Sequence, residues 1–144
     1  RIGSWVDEAV RQGGRLLTGG HADGAFFEPT VMEDVPATAQ VCNSEAFAPL
    51  VVLFPFSDFG EALRQVNDSA FGLQSGVFTN DLAHAWQAFN ELEVGGVIVN
   101  DIPTYRIDHM PYGGVKDSGQ GREGLRWSIE DMTELRIMVL AQPQ

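Results

Sequence analysis

Apolar positions recur with helical spacing from the start of the chain. Ile2, Trp5, Val6, Ala9 and Val10 fall on one face, and Gly13-Gly14 stops that helix. Arg15–Thr18 (RLLT) reads as a short strand, after which Gly19, Gly20 and Gly24 turn the chain. Phe26–Met32 (FFEPTVM) is a second extended run, and Pro29 within it points to an edge or irregular strand. Val35–Ser44 reads as loop. From Leu50 the pattern becomes regular. Leu50–Phe54 (LVVLF) predicts a buried strand, and Asp58 can cap a helix with the apolar face Phe59, Ala62, Leu63 and Val66. Phe71-Gly72 breaks that helix, and Ser75–Thr79 predicts a strand. Asp81 can cap a further helix that turns Leu82, Ala85, Trp86, Phe89 and Leu92 inward. Gly95-Gly96 ends it before the apolar strand Val97–Asn100. Strand, helix, strand, helix, strand at these lengths predicts an α/β fold: a parallel open sheet with flanking helices and right-handed crossovers. A short helix near Leu125–Met132 follows. Last comes Glu134–Leu140 (ELRIMVL), where Leu135, Ile137 and Val139 share one face. No later segment can pair with it, so its free edge invites pairing with another chain.

Composition narrows the partners. Nine basic residues face twenty acidic ones, a formal charge of −11, which disfavours nucleic acid and anionic membranes. No apolar run approaches the ~20 residues that span a bilayer. Apolar residues make up 44% of the 144, enough for a globular core. The opening helix is already under way at Arg1 without a start signal, which predicts a chain cut from something longer. The single Cys42 excludes an internal disulfide framework and fits a reducing compartment, hence the cytoplasm.

The densest chemistry lies in Pro111–Glu123 (PYGGVKDSGQGRE), too polar for a core and too rich in glycine for a helix. A loop of this kind beyond a buried strand is where α/β proteins build sites. Gly119–Gly124 is a literal GxGxxG, but a dinucleotide fingerprint must follow a strand directly and open a βαβ unit. Gly114–Gly119 begins like a phosphate loop, yet Gln120-Gly121 stands where Lys and Ser or Thr are required. These glycines are therefore read as tight turns. Cys42, in VCNSE, has neither a cation nor a histidine beside it to lower its pKa. His21, His84 and His109 lack metal-ligand spacing, so no metal is expected. Glu45, in Ser44–Pro49 (SEAFAP), and Phe47 beside it sit at a strand mouth. There a carboxylate can accept sugar hydroxyls while the ring packs on a flat heterocycle, although a solvated Glu is the default. Asp101–Tyr112 (DIPTYRIDHMPY) carries the apolar and aromatic groups of a pocket lining. Within it, Arg106 can hold an anionic group bidentately or can pair with Asp101 or Asp108.

Five segments in order resemble the C-terminal part of the aldehyde dehydrogenase superfamily: GGRLLTGG with FFEPTVMEDV, SEAFAPLVVLFPF, FGEALRQVNDSAFGLQSGVFTND, GGVIVND, and PYGGVKDSGQGREG. The resemblance implies an NAD(P)-dependent enzyme that oxidises an aldehyde to a carboxylic acid. Its cysteine nucleophile and its dinucleotide-binding fold would lie upstream of Arg1, so the chain alone would be inactive. Residues 1–133 would then be a partial catalytic domain, and 134–144 an oligomerisation strand and tail. Glu45 matches the glutamate that holds the nicotinamide ribose, and Phe47 the aromatic group near the nicotinamide. Tyr105 and Tyr112 match pocket-lining positions, and Glu123 a glutamate implicated in proton relay in some members. Ser44 and Ala48 depart from the family's usual acid and glycine. The DHMPYGGVKDSG variant resembles the branch acting on small aldehydes with a polar or anionic tail, and the C-terminal strand implies a homo-oligomer. The alternative is a non-catalytic α/β binding or assembly module derived from the same fold.

Overall fold

The helical periodicity at the start of the chain produces α1 (Ile2–Arg11) in the computed structural model, which describes residues 1–142. The last two residues of the 134–144 tail lie outside the described residues. The chain forms two compact units, Arg1–Glu61 and a second from Ala62 onward.

In the first unit α1 buries Val6 and Ala9, while Val10, at the margin of the apolar face, stays 45% exposed. β1 (Arg15–Thr18) follows, then a small antiparallel pair, β2 (Ala22–Asp23) with β3 (Phe26–Phe27). β4 (Thr30–Glu33) pairs antiparallel with β1, where Arg15 faces and ion-pairs with Glu33. The loop expected at Val35–Ser44 contains a short helix, α2 (Gln40–Asn43), and supplies Val35, Ala39 and Val41 to the core. One turn of helix is too short to show a period. β5 (Leu50–Leu53) pairs parallel with β4, from Thr30 opposite Leu50 to Glu33 opposite Leu53.

Of the edge or irregular strand expected from Pro29, the irregular reading holds, since the run is broken between β3 and β4, while the order β1-β4-β5 makes β4 central rather than an edge. Pro29 stands one residue before β4, so the ladder loses no donor, and the Thr30 N–H reaches the Pro49 carbonyl at 2.8 Å. Thr30 is only 2% exposed, yet its hydroxyl is satisfied. It accepts from the Gly20 N–H at 2.9 Å and donates to the Glu28 carbonyl at 2.7 Å, as a buried hydroxyl must. β5 is half-buried rather than fully buried: Leu50 and Val52 pack on the core, while Val51 and Leu53 are exposed. The chain leaves this unit through α3 (Phe59–Asn67), whose first turn is capped as expected, the Glu61 N–H donating to Asp58 Oδ1 at 2.7 Å.

In the second unit β6 (Phe71–Gly72) is followed by β7 (Gln74–Val77), α4 (Leu82–Glu91) and β8 (Gly96–Val99). β7 and β8 pair parallel, from Gln74 opposite Gly96 to Val77 opposite Val99, with α4 as the crossover. Asp81 caps α4, accepting from the Ala83 N–H at 2.8 Å. β9 (Val115–Lys116) returns antiparallel to β6, and α5 (Leu125–Asp131) closes the regular structure. Phe71-Gly72, expected as a helix breaker, is thus also a strand.

The chain is mixed α/β with small sheets, β5 pairing with β4 in the first unit and β7 with β8 in the second. One expectation changes here: α4 buries Ala88, and its C-cap Leu92 is buried too, whereas Leu82, Trp86 and Phe89 are 72%, 58% and 63% exposed. A period identifies an apolar stripe but not what covers it. Residues 134–142 join no helix or strand of the described chain, and Leu135, Ile137, Val139 and Leu140 are exposed. Among the described residues no helix is long and apolar enough to cross a membrane.

Candidate functional site

The glycine loop between β8 and α5 is built on very close backbone approach. A Cβ on Gly95 would run into the Gly113 carbonyl, and one on Gly72 would come within 2.5 Å of the Glu93 carbonyl. Glycine is therefore required where the α4–β8 turn passes beneath the loop. The loop is then fastened by side chains. Arg122 Nη1 donates to the carbonyls of both Gly114 (2.9 Å) and Gly121 (2.7 Å), tying the two limbs together. Ser118 Oγ accepts from the Gly72 N–H at 3.0 Å. Lys116, in the left-handed region at φ 54°, extends its ammonium to the Asn67 carbonyl (2.7 Å) and to Glu93 Oε2 (2.8 Å). Asn67 in turn accepts from the Glu93 N–H and donates to the Glu91 carbonyl. Both basic groups of the loop thus hold the protein's own chain. That agrees with reading the glycines as turns rather than as a phosphate cradle.

These contacts frame a cavity of ≈ 490 Å³ lined by Leu73, Tyr112, Arg122, Glu123, Ser128 and Asp131 together with loop glycines. Tyr112 and Glu123 face each other across its wall through reciprocal backbone bonds, Tyr112 N–H to Glu123 O at 3.1 Å and Glu123 N–H to Tyr112 O at 2.6 Å. Arg106 reaches both. Its guanidinium lies 4.5 Å above the centre of the Tyr112 ring, and Nη2 donates to Glu123 Oε2 at 2.9 Å. The ion pair considered for Arg106 therefore exists, but with Glu123 rather than with Asp101 or Asp108. Seventeen residues separate the two partners in the chain, and only the fold of the loop brings them together.

Of the other candidates, Tyr105 lies on the same 101–112 loop, 45% exposed, with its carbonyl accepting from Gln74 Nε2 at 3.4 Å. Glu45 and Phe47 belong to the first unit, on the segment between α2 and β5. Glu45 is exposed and the Phe47 ring 79% exposed, so the two present a carboxylate and an apolar face two residues apart. Cys42 is a free thiol whose pKa burial pushes upward, the wrong direction for a nucleophile. Arg122, Lys116, Asn67 and Ser118 escaped sequence reasoning. Each acts through backbone groups, which leave no periodic signal; a cation inside a glycine-rich loop was the one available hint.

The family model described as "Aldehyde dehydrogenase family" matches residues 1–138. A curated relative, 3-sulfolactaldehyde dehydrogenase of Priestia aryabhattai, is 51% identical over 140 residues, covering 97% of this chain and 29% of that protein. Aldehyde dehydrogenase 21 from Physcomitrella patens, solved with the reaction product succinate, superposes with a TM-score of 0.90 at 55% identity, covering 92% of this chain and 28% of that one. Glyceraldehyde-3-phosphate dehydrogenase from Methanocaldococcus jannaschii, solved with NADP, gives 0.86 at 40% identity, with 91% and 28% covered. The chain thus spans less than a third of the length of each of these proteins.

The double contact of Arg122 yields a test. Arg122→Met keeps an apolar stem and removes both donors. It is expected to destabilise the protein by roughly 1–3 kcal/mol, because two loop carbonyls lose a charged partner. Amide hydrogen exchange over 113–121 should accelerate while that of α4 is unchanged. Unaltered loop exchange would show that the carbonyls do not depend on Arg122.

Proposed function

The chain belongs to the aldehyde dehydrogenase family, and from that premise we propose that it is the C-terminal part of an NAD- or NADP-dependent enzyme oxidising a small aldehyde with an anionic tail to a carboxylic acid. The observation that carries the substrate class is Arg106, a cation held over Tyr112 beside the cavity. Support comes from the compounds named with three of the similar proteins, a sulfonated aldehyde, the dicarboxylate succinate and a phosphorylated aldehyde, while others are named with lactaldehyde or betaine aldehyde. All three bear an acidic group. Arg106 would receive that group, and Tyr105 and Tyr112 would line the pocket around the carbon chain. Glu123 is read as a proton-relay candidate through the resemblance alone. The nucleophile belongs to residues outside this chain, so the 144 residues alone carry out no oxidation.

The exposed pair Glu45 and Phe47 fits a dinucleotide: the carboxylate is free to accept two ribose hydroxyls, and the open ring offers an apolar face to the nicotinamide. When bound, the cofactor supplies the hydride acceptor. Glu45 would orient it, so Glu45→Gln in the complete enzyme should slow turnover. Single-turnover and steady-state rates equal to wild type would remove the ribose role.

In the complete protein the parallel pairs β4/β5 and β7/β8 are read as portions of an open parallel sheet flanked by helices, with the exposed face of α4 covered. The free Cys42 fits a reducing compartment such as the cytoplasm. Glu134–Leu140 is read as a strand that pairs with a second copy, because Leu135, Ile137 and Val139 share a side and are exposed in the single chain. Truncation after Thr133 should lower the molecular mass seen by light scattering, and an unchanged mass would refute the exchange.

The substrate reading is tested with Arg106→Ala in the complete enzyme. A charge-assisted contact contributes roughly 1.5–3 kcal/mol. The variant is therefore expected to raise KM for sulfo-, carboxy- or phospho-aldehydes about tenfold or more relative to neutral aldehydes of equal length. Equal losses for both classes would assign Arg106 to structure alone.

A further inference from the structure

Resting on the reading of Arg106 as the anion-binding group, we propose that Glu123 is its positioning residue, acting with the Tyr112 ring to hold the guanidinium in one plane with a two-donor edge left open for the substrate's anion. This role differs from proton relay, which the resemblance alone suggests for Glu123.

The geometry supports it at three points. First, the ion pair is single: only Nη2 of Arg106 contacts Glu123, through Oε2 at 2.9 Å. A guanidinium has five N–H donors arranged along its edges, so one monodentate contact leaves an adjacent pair of donors free for a carboxylate, sulfonate or phosphate. Second, the guanidinium carbon lies over the Tyr112 ring, 4.5 Å from its centre, and this cation–π contact restricts the arm's rotation. Third, the two supports are themselves fixed relative to one another. Tyr112 and Glu123 are joined by reciprocal backbone bonds, and the adjacent Arg122 clamps the loop on either side. Arg106 comes from a loop rich in exposed side chains and is itself 49% exposed, so a long flexible arm would otherwise sample many rotamers. Holding the arm still before the substrate arrives removes that ordering cost from binding. The carboxylate also keeps the cation partnered while the site is empty.

Two substitutions at Glu123 separate positioning from relay. Gln keeps an oxygen that can accept the Arg106 N–H but cannot carry a proton; Ala removes both. With the complete enzyme, kcat and KM are measured for a carboxy-aldehyde and for a neutral aldehyde of equal length, in wild type, Glu123→Gln, Glu123→Ala and Arg106→Ala. Positioning predicts that Glu123→Ala raises KM for the anionic aldehyde roughly two- to fivefold, the scale of an exposed ion pair. The ratio of the two KM values, anionic over neutral, should rise by that factor, and Glu123→Gln should restore most of the loss. A comparable fall in kcat for both aldehydes in Gln and Ala overturns positioning in favour of relay. No change in the ratio of the two KM values in Glu123→Ala, while Arg106→Ala remains selective, also overturns it and leaves the anionic-substrate reading intact. An Arg106→Ala enzyme with no preference against the anionic aldehyde removes that reading, and the positioning role with it.

Discussion

The candidate site depends on a backbone contact that tolerates no side chain: Gly95, at the end of the α4–β8 turn, lies directly against the Gly113 carbonyl. The loop's own polar contacts accompany that approach. Because the turn and the loop approach so closely, Gly72 can donate to Ser118, and β6 can pair with β9. Lys116 can then reach past the end of α3 to the Asn67 carbonyl and Glu93. The loop returns on itself at Gly121 and Gly124, both at positive φ, and Arg122 closes the return by binding carbonyls on both limbs. A loop assembled this way is a rigid wall made mostly of backbone. Its few remaining side chains, Tyr112 and Glu123 among them, are placed by the wall rather than by their own packing.

That construction accounts for what the sequence disclosed and what it hid. The capped helices were legible because a cap is a local event: Asp58 and Asp81 each bind a backbone N–H two or three residues away, as their positions predict. The β7–α4–β8 crossover was legible for the same reason, since two apolar runs separated by one helix leave few alternatives. The neighbour of β5 was not. Strand pairing is decided by contacts far apart in sequence, and Pro29 read as a mark against β4 until its position just outside the strand became visible. The same holds at the site. Arg106 was legible as a cation in a pocket-like loop, but its partner was sought among nearby acids, whereas the fold delivers Glu123.

The exposed apolar groups follow from a related limit. An amphipathic stripe states that something covers it. Leu82, Trp86 and Phe89 on α4, and Leu135, Ile137 and Val139 after α5, are exposed within this chain. A chain covering less than a third of its relatives' length is where such uncovered faces are expected. By contrast Val6, Ala9, Met32 and Ala39 are buried by their own unit and need no outside partner.

Charge gives the site its direction. The chain is strongly acidic, at −11, so the anion proposed for this site would meet an unfavourable field over much of this chain's surface. Of the two cations in the glycine loop, Lys116 is bound to Glu93 and a carbonyl, and Arg122 to two carbonyls. Neither can turn toward a ligand without opening the loop. Arg106 is differently placed: its stem comes from a separate loop, its contact with Glu123 is monodentate, and its contact with Tyr112 is a cation–π one that takes up no hydrogen-bond acceptor. The proposed recognition of an anion calls for a cation that is partnered without being saturated, and among these three the geometry leaves that condition to Arg106.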